Sequence, residues 1–303
     1  IFVAGHKGMV GSSIVRKLQN LGFSEILCKS KEDLNLLDQK NVYDFLNSEK
    51  PDLIINAAAK VGGIYANNNY RAEFLFENLQ IQNNLIHGAH QADVNNFVFL
   101  GSSCIYPRDC PQPIKEEYLL SGFLEKTNEP YALAKIAGLK LCETYTERYK
   151  RNYFSVMPTN LYGPGDNYDP ENSHVLPALL LKMYNAKKNG EKIVSVWGSG
   201  SPLREFLHVD DLSEAIIFLL EKNYRGKHIN IGYGEDISIK ELAEKIKKIT
   251  KYGGDIIFDK SKPDGTPKKL LDISKLTSLG WKPTIKLKKG ISITYKEKFV
   301  SSS

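Results

Sequence analysis

The chain has 303 residues, a formal net charge of +6 at neutral pH and enough apolar content for one large or two modest domains with a sizeable core. Its basic residues form no long block and match no nucleic-acid-binding pattern. No run of eighteen apolar residues occurs, and the opening IFVAGHKG lacks the regions of a signal peptide, so membrane-spanning and secreted classes are set aside with the nucleic-acid binders. A phosphate-bearing small molecule suits the positive charge better. The four cysteines, Cys28, Cys104, Cys110 and Cys142, show neither Cys-x-x-Cys spacing nor a disulfide framework. They point to a reducing compartment, cytoplasmic by default, and no metal site is expected.

Taken in chain order, IFVA, EILC (25–28), DLIINAAA (52–59), NFVFLGSS (96–103) and YFSVMP (153–158) are short apolar runs rich in β-branched residues, and they predict strands. Helical periodicity predicts helices over 9–21, 39–48, 70–92 and 131–150. Because the first strand pattern starts at Ile1, further residues are expected before it. Alternation of strand and helix predicts an α/β fold of Rossmann type, a doubly wound parallel sheet. After Gly163-Pro164-Gly165 the rhythm changes to helix 173–188, strand 192–197, helix 210–222, strand 228–231, helix 238–250 and strand 255–258, a smaller C-terminal α/β lobe. We therefore expect a cofactor domain over 1–165 with 204–231 interleaved into it, a substrate domain over 166–303, and a disordered tail at 301–303.

Gly5, Gly8 and Gly11 follow the first strand and open a helix. The first glycine permits a tight turn, the second lets the backbone approach a pyrophosphate, and the third lets helix and strand pack closely. The spacing G-x-x-G-x-x-G is weak alone and gains force from its strand–helix setting. An NAD enzyme usually places Asp or Glu at the end of the second strand, where this chain has Cys28-Lys29-Ser30-Lys31. Lys29 and Lys31, with Lys7 of the glycine loop, would attract a 2′-phosphate, with no carboxylate to repel it. The expected cofactor is NADP(H).

Tyr131 and Lys135 are four apart on the helix that Pro130 opens, so both can face one bound molecule. The phenol is mostly protonated at neutral pH, and a nearby ammonium favours its phenolate, so Tyr131 can release and recover a proton. Ser102, at the end of the fourth strand, would hydrogen-bond the same carbonyl oxygen. Together with the glycine loop these residues specify a reductase site.

At this point the chain resembles the extended short-chain dehydrogenase/reductase family, and more narrowly its bifunctional branch acting on GDP-4-keto-6-deoxy-D-mannose. The resemblance runs from about residue 1 to about residue 298, through AGHKGMVGS, AAAKVGGIYANN, LGSSCIYP, NEPYALAKIAGLKLCE, SVMPTNLYGP, NSHVLPALL, WGSG, REFLHVDDL and KPDGTPKKLLD. It implies 3,5-epimerisation followed by NADPH-dependent 4-reduction, giving GDP-L-fucose. It also implies cofactor contacts from Met9, Val10, Ala58, Leu100, Ser102, Lys135, Pro158, Asn160, Leu161 and His174. The helices over 70–92 and 131–150 are implied to pair across a homodimer as a four-helix bundle, with Phe76 and Tyr149 facing outward.

The same resemblance gives Cys104 a purpose. A 4-keto sugar has acidic C–H bonds at C3 and C5, and inverting them requires acid/base groups on opposite faces of the ring. Cys104 is one, since thiols near cations become thiolates, and His174 is the best second candidate. In isolation Cys104 would be read as packing and His174 as a capping or surface residue. His208 competes with His174 and is read as structural. Cys110, six residues beyond Cys104, could form an inactivating disulfide with it under oxidation.

For the nucleotide diphosphate, Arg204 and Lys182 supply cations, while Trp197 and the Asp264–Pro267 stretch complete the pocket. Lys182 could equally be solvated and Trp197 could be core packing. Two other functions compete: another nucleotide-sugar epimerase or reductase of this fold, and a non-catalytic NADP(H)-sensing protein. The Tyr131 and Lys135 pair disfavours the second.

Overall fold

The computed structural model describes residues 1–169, 172–262 and 264–300; the tail expected at 301–303 lies outside them. The first half runs β1 (Phe2–Ala4), α1 (Met9–Asn20), α2 (Gln39–Glu49), β2 (Leu53–Asn56), α3 (Ile64–Asn69), α4 (Arg71–Gln91), β3 (Asn96–Leu100), α5 (Glu129–Tyr149) and β4 (Asn152–Pro158). The remainder runs β5 (Asn160–Tyr162), α6 (Val175–Asn189), β6 (Ile193–Trp197), β7 (Leu203–His208), α7 (Val209–Glu221), β8 (His228–Ile231), β9 (Asp236–Ser238), α8 (Ile239–Thr250), β10 (Asp255–Asp259), β11 (Lys268–Lys269), α9 (Ser274–Ser278) and α10 (Leu287–Phe299).

The main sheet is parallel, in the order β1-β2-β3-β4-β8. Successive side chains point to opposite faces. Phe2, Ile54, Phe97, Phe99 and Tyr153 therefore pack with Leu46 of α2, Leu85 of α4 and Leu139 of α5, while Val3, Ile55, Val98 and Phe154 pack with Ile14 of α1 and Ile216 of α7. Both faces are covered, which is why these strands read as continuous apolar runs rather than alternating ones. A third core, built on Leu180, Val194, Phe206, Leu242 and Ile291, joins α6, α8 and α10 to the smaller sheets.

The expected strand over 25–28 is reduced to one bridge, Leu27 beside Phe2. Leu27 makes both ladder bonds, donating to Ile1 O and accepting from Val3 N, while Ile1 N donates to Glu25 O. Leu27 and β2 thus lie on opposite sides of β1. The strand order reverses between β1 and β2, and a crevice opens at the carboxyl ends of such a pair.

Strands β5, β7, β9 and β11 were not expected. β7 runs parallel to β5 and β11 and antiparallel to β9. Its sequence, LREFLH, breaks the apolar pattern with Arg204 and Glu205, yet Glu205 is fully buried. The burial is tolerated because its carboxylate accepts the backbone N–H groups of Tyr233, Gly234 and Leu271. This one side chain ties β7 to two other backbone segments, at 233–234 and at Leu271.

Candidate active site

At the β1–β2 crevice, Gly5 has φ +81°, a conformation that favours glycine, and a Cβ there would stand 2.7 Å from Ala58 N. A Cβ on Gly11 would meet Gly5 O at 2.2 Å, so helix and turn touch backbone to backbone. Gly8 is different: its Cβ would meet nothing closer than Gly5 O at 3.5 Å. Internal packing does not demand glycine at this position; what its bareness leaves is space over the start of α1. No side chain of the described residues caps α1, and its first turn holds no acidic residue. Open amides at a helix N-terminus suit a pyrophosphate, so the turn fits a dinucleotide.

The Cys28–Lys31 stretch is less cationic than its own residues suggest. The carboxylates absent from Cys28–Lys31 follow immediately in sequence: Glu32 lies 4.0 Å from Lys7, and Asp33 accepts the Ser30 hydroxyl at 2.7 Å. Lys7 and Lys29 both hold the Asp33 carboxyl below its usual range, after the larger effect of the Ser30 hydrogen bonds. Lys29 and Lys31 are exposed at this edge. The cationic patch is real but partly compensated.

Further along the sheet edge, β3 delivers Leu100 and then Ser102, whose hydroxyl accepts Cys104 N–H at 3.2 Å and caps a 3₁₀ turn over Ser103–Ile105. From α5, Lys135 donates to Leu100 O at 2.9 Å, and its Nζ lies 4.9 Å from the Phe99 ring and 5.8 Å from the Tyr131 ring. Lys135 is only 3% exposed. Burial drives its pKa down to about 7, and burial also pushes the Tyr131 phenol up, with Cys104 adding to the rise and the Ser102 hydroxyl opposing it. The expected lowering of the phenol by Lys135 is therefore not what the protein alone produces. Desolvation penalises both charged forms, and the ammonium spends a hydrogen bond on a backbone carbonyl.

Cys104 is half-buried, and Lys269 donates to its Sγ at 3.6 Å. Arg204, opposite Lys269 in the β7–β11 pairing, also feels the Cys104 charge and that of Asp264. Burial lowers its pKa, and its guanidinium donates to Leu203 O and Thr266 O. Ser102, Cys104, Tyr131, Lys135 and Arg204 thus converge. Cys110 is buried, which pushes its thiol up.

His174 is the N-cap of α6 and is reached from the other side. Gly63 donates to Asn172 O, and a Cβ on Gly63 would stand 2.8 Å from Ser173 O, so the AAAKVGG loop is packed against the NSH stretch. Lys60, Phe74 and Asn172 line a cleft of about 330 Å³, and Phe74 stacks edge-on against Tyr131 with ring centroids 6.2 Å apart. His174 is exposed at the surface, and desolvation by the protein packed around it holds its pKa below the ordinary value. Among the described residues no hydrogen bond or ion pair joins His174 directly to Cys104 or Tyr131. His208, by contrast, is fully buried, caps α7 by accepting Asp210 N–H, and meets Tyr162 edge-on.

At the far end Trp197 is 63% exposed, not core packing, and lies under two ammonium groups, Lys182 at 5.8 Å and Lys262 at 5.6 Å. Lys182 also donates to Ser195 O, and desolvation lowers its pKa. Asp264 accepts the N–H and hydroxyl of Ser199, which fastens the 264–267 stretch to the 198–201 turn. Asn160 donates to Glu205 O from β5, between Thr159 and Leu161 and two residues past Pro158.

The model of the NAD dependent epimerase/dehydratase family matches residues 1–232. The chain belongs to that family. Within it, GDP-L-fucose synthase 1 of Arabidopsis thaliana is 56% identical over 295 residues, 97% of this chain and 91% of its own. GDP-L-fucose synthase of Escherichia coli strain K12 is 53% identical over 304 residues, 97% of this chain and 95% of its own. Among solved structures, a GDP-L-fucose synthetase from Naegleria fowleri bound to NADP superposes with a TM-score of 0.88 at 29% identity, covering 98% of this chain and 92% of that one.

Two members of the site were missed in the sequence. Lys269 sits in a lysine pair within KPDGTPKKLLD, and nothing local distinguishes it from its neighbour. Glu205 reads as a surface carboxylate beside Arg204. The only available signal was alternation: on a strand, Lys268 and Lys269 must face opposite ways.

Proposed function

We infer that this chain is an NADP-dependent enzyme that epimerises GDP-4-keto-6-deoxy-D-mannose at C3 and C5 and reduces it at C4 to GDP-L-fucose. The observation that carries the reading is a cation-flanked thiol, Cys104, beside the Ser102, Tyr131 and Lys135 group. A plain reductase has no use for that sulfur. NADPH, when bound, supplies the hydride for C4. The residues that would hold it are Gly5, Lys7, Gly8, Met9, Val10 and Gly11 at the turn, Lys29 and Lys31 at the 2′-phosphate, and Ala58, Leu100, Pro158, Asn160 and Leu161 along the strand ends.

Ser102 and Tyr131 hydrogen-bond the sugar's ketone oxygen and stabilise the negative charge it gains as an enolate. Cys104 and His174 exchange protons with C3 and C5 from opposite faces, His174 acting from the α6 side of the cleft. Tyr131 then protonates the C4 oxygen, with Lys135 supplying positive charge beneath the ring. Arg204 and Lys182 hold the diphosphate, and Trp197 with Asp264 receives the nucleoside end. We also propose the division into a cofactor domain over 1–165, with 204–231 interleaved, and a substrate domain over 166–303. A homodimer through α4 and α5 is supported by the exposure of Phe76 and Tyr149, and a cytoplasmic location by the four free thiols.

Incubation with NADPH and the GDP-keto sugar in D₂O tests the reading. The expected product is GDP-L-fucose carrying deuterium at C3 and C5, read by NMR. A product reduced at C4 without inversion or deuterium would overturn it.

A further inference from the structure

β11 is only two residues long, yet it is pinned on every side. Leu203 N–H donates to Pro267 O before it, and Leu270 and Leu271 after it donate to Gln112 Oε1 and to the buried Glu205 carboxylate. Strand alternation then decides the direction of the two lysines. Lys268 turns to Asp236, 3.2 Å away, and Lys269 turns to the Cys104 sulfur. A flexible four-carbon stem is costly to immobilise, so a backbone fixed this tightly places the ammonium with little further loss of entropy.

We propose that Lys269 is a positioning residue for the inversion chemistry: its ammonium fixes the Cys104 sulfur and favours its anionic form, ready to take a proton from the sugar ring. The proposal deepens the epimerase reading and rests on it for the identity of the proton. In that step the C–H electron pair moves onto the ring and its ketone oxygen, and the proton ends on sulfur. Other groups face the thiol. Arg204 approaches from β7, with Nη1 of its guanidinium donating to the carbonyls of Leu203 and Thr266 and its charge offset by Asp264. Tyr131 approaches from α5, and Cys110, in the following loop, also feels Lys269. Among the described residues, only Lys269 donates a hydrogen bond to Sγ.

The test is alkylation of Cys104 by iodoacetamide from about pH 5 to about pH 10, followed by peptide mass in a Cys110→Ser background. Cys28, whose thiol is pushed up by burial, serves as the reference within the same chain. The Cys104 midpoint is expected below that of Cys28. In Lys269→Met it should rise by about one unit, with alkylation near pH 7 roughly tenfold slower. Lys269→Arg should restore it, and Lys268→Met should leave it in place. An unmoved midpoint in Lys269→Met overturns the proposal. If that variant does not fold, a wild-type Cys104 midpoint at or above that of Cys28 overturns it. No substrate enters this measurement, so its failure is distinct from a failure of the deuterium experiment, which bears on the epimerase reading.

Discussion

The Tyr131–Lys135 pair and the Cys104–Lys269 pair each set a weak acid beside an ammonium, but they are built in opposite ways. The first comes from one turn of one helix, so its geometry is set by the helical repeat and survives anything that leaves α5 intact. The second joins residues 165 positions apart, through a two-residue strand held by a buried carboxylate. Burial also differs. Lys135 sits so deep that its charge is half lost near neutrality, whereas Lys269 is only partly buried and lies against the sulfur it serves. A local motif can therefore carry the reductase half of the chemistry, while the inversion half depends on how distant segments are brought together.

The contrast is broken most strongly by removing one acid at a time. Tyr131→Phe should lower both deuterium exchange and NADPH oxidation by about three orders of magnitude, because enolate stabilisation and final protonation both use the phenol. Cys104→Ser should abolish inversion at its centre while cofactor binding, followed by fluorescence titration, stays unchanged. Equal loss of both activities in both variants would erase the distinction between the two halves.

Next in size are the glycines of the turn between β1 and α1. Gly11→Ala should destabilise the fold by about 3 kcal/mol in urea unfolding, since its Cβ collides with the Gly5 backbone. Gly8→Ala should change stability by less than about 0.5 kcal/mol and still weaken NADPH binding. Loss of stability in both would show that Gly8 serves packing, not the ligand.

The pH dependence sharpens the comparison further. Below about pH 7 Lys135 carries its charge, and as pH rises through that value the ammonium is lost. The kcat/KM for reduction should therefore fall about tenfold per unit above this inflection, and Lys135→Arg should move the inflection to higher pH. For folding the sign is opposite. A depressed lysine pKa leaves the unfolded chain holding more protons above pH 7, so this group makes the protein more stable as pH rises from about 7 toward its ordinary lysine value.

The smallest effect belongs to the exposed end. Trp197→Ala should raise KM for the GDP-sugar roughly tenfold, the worth of one stacked base, and leave the thermal midpoint unaltered.

Much of this was legible before any coordinates. Gly5, Gly8 and Gly11 declare a turn because each has a distinct backbone reason to lack a Cβ, and Tyr131 with Lys135 declares a face because helices repeat every 3.6 residues. The strand over 25–28 was overread. Its apolar run promised a ladder, but only Leu27 pairs, its neighbours remaining half exposed. Strand β7 was missed for the converse reason, since Arg204 and Glu205 interrupt a pattern whose burial is compensated by backbone donors distant in sequence. The cations at 29 and 31 were read without the carboxylates at 32 and 33, which fold back onto Lys7 and Ser30.

The sequence by itself determined the alternation of strand and helix, the glycine turn, the phenol–ammonium face and the presence of a thiol at the end of β3. All of these follow from rules acting over fewer than about ten residues. Only the tertiary structure decided which of two adjacent lysines reaches that thiol, that Glu205 is the knot beneath it, that Trp197 stands in solvent, and that Lys135 is nearly dry. Those outcomes depend on desolvation and on backbone hydrogen bonds between remote segments, quantities with no value until the chain has closed on itself.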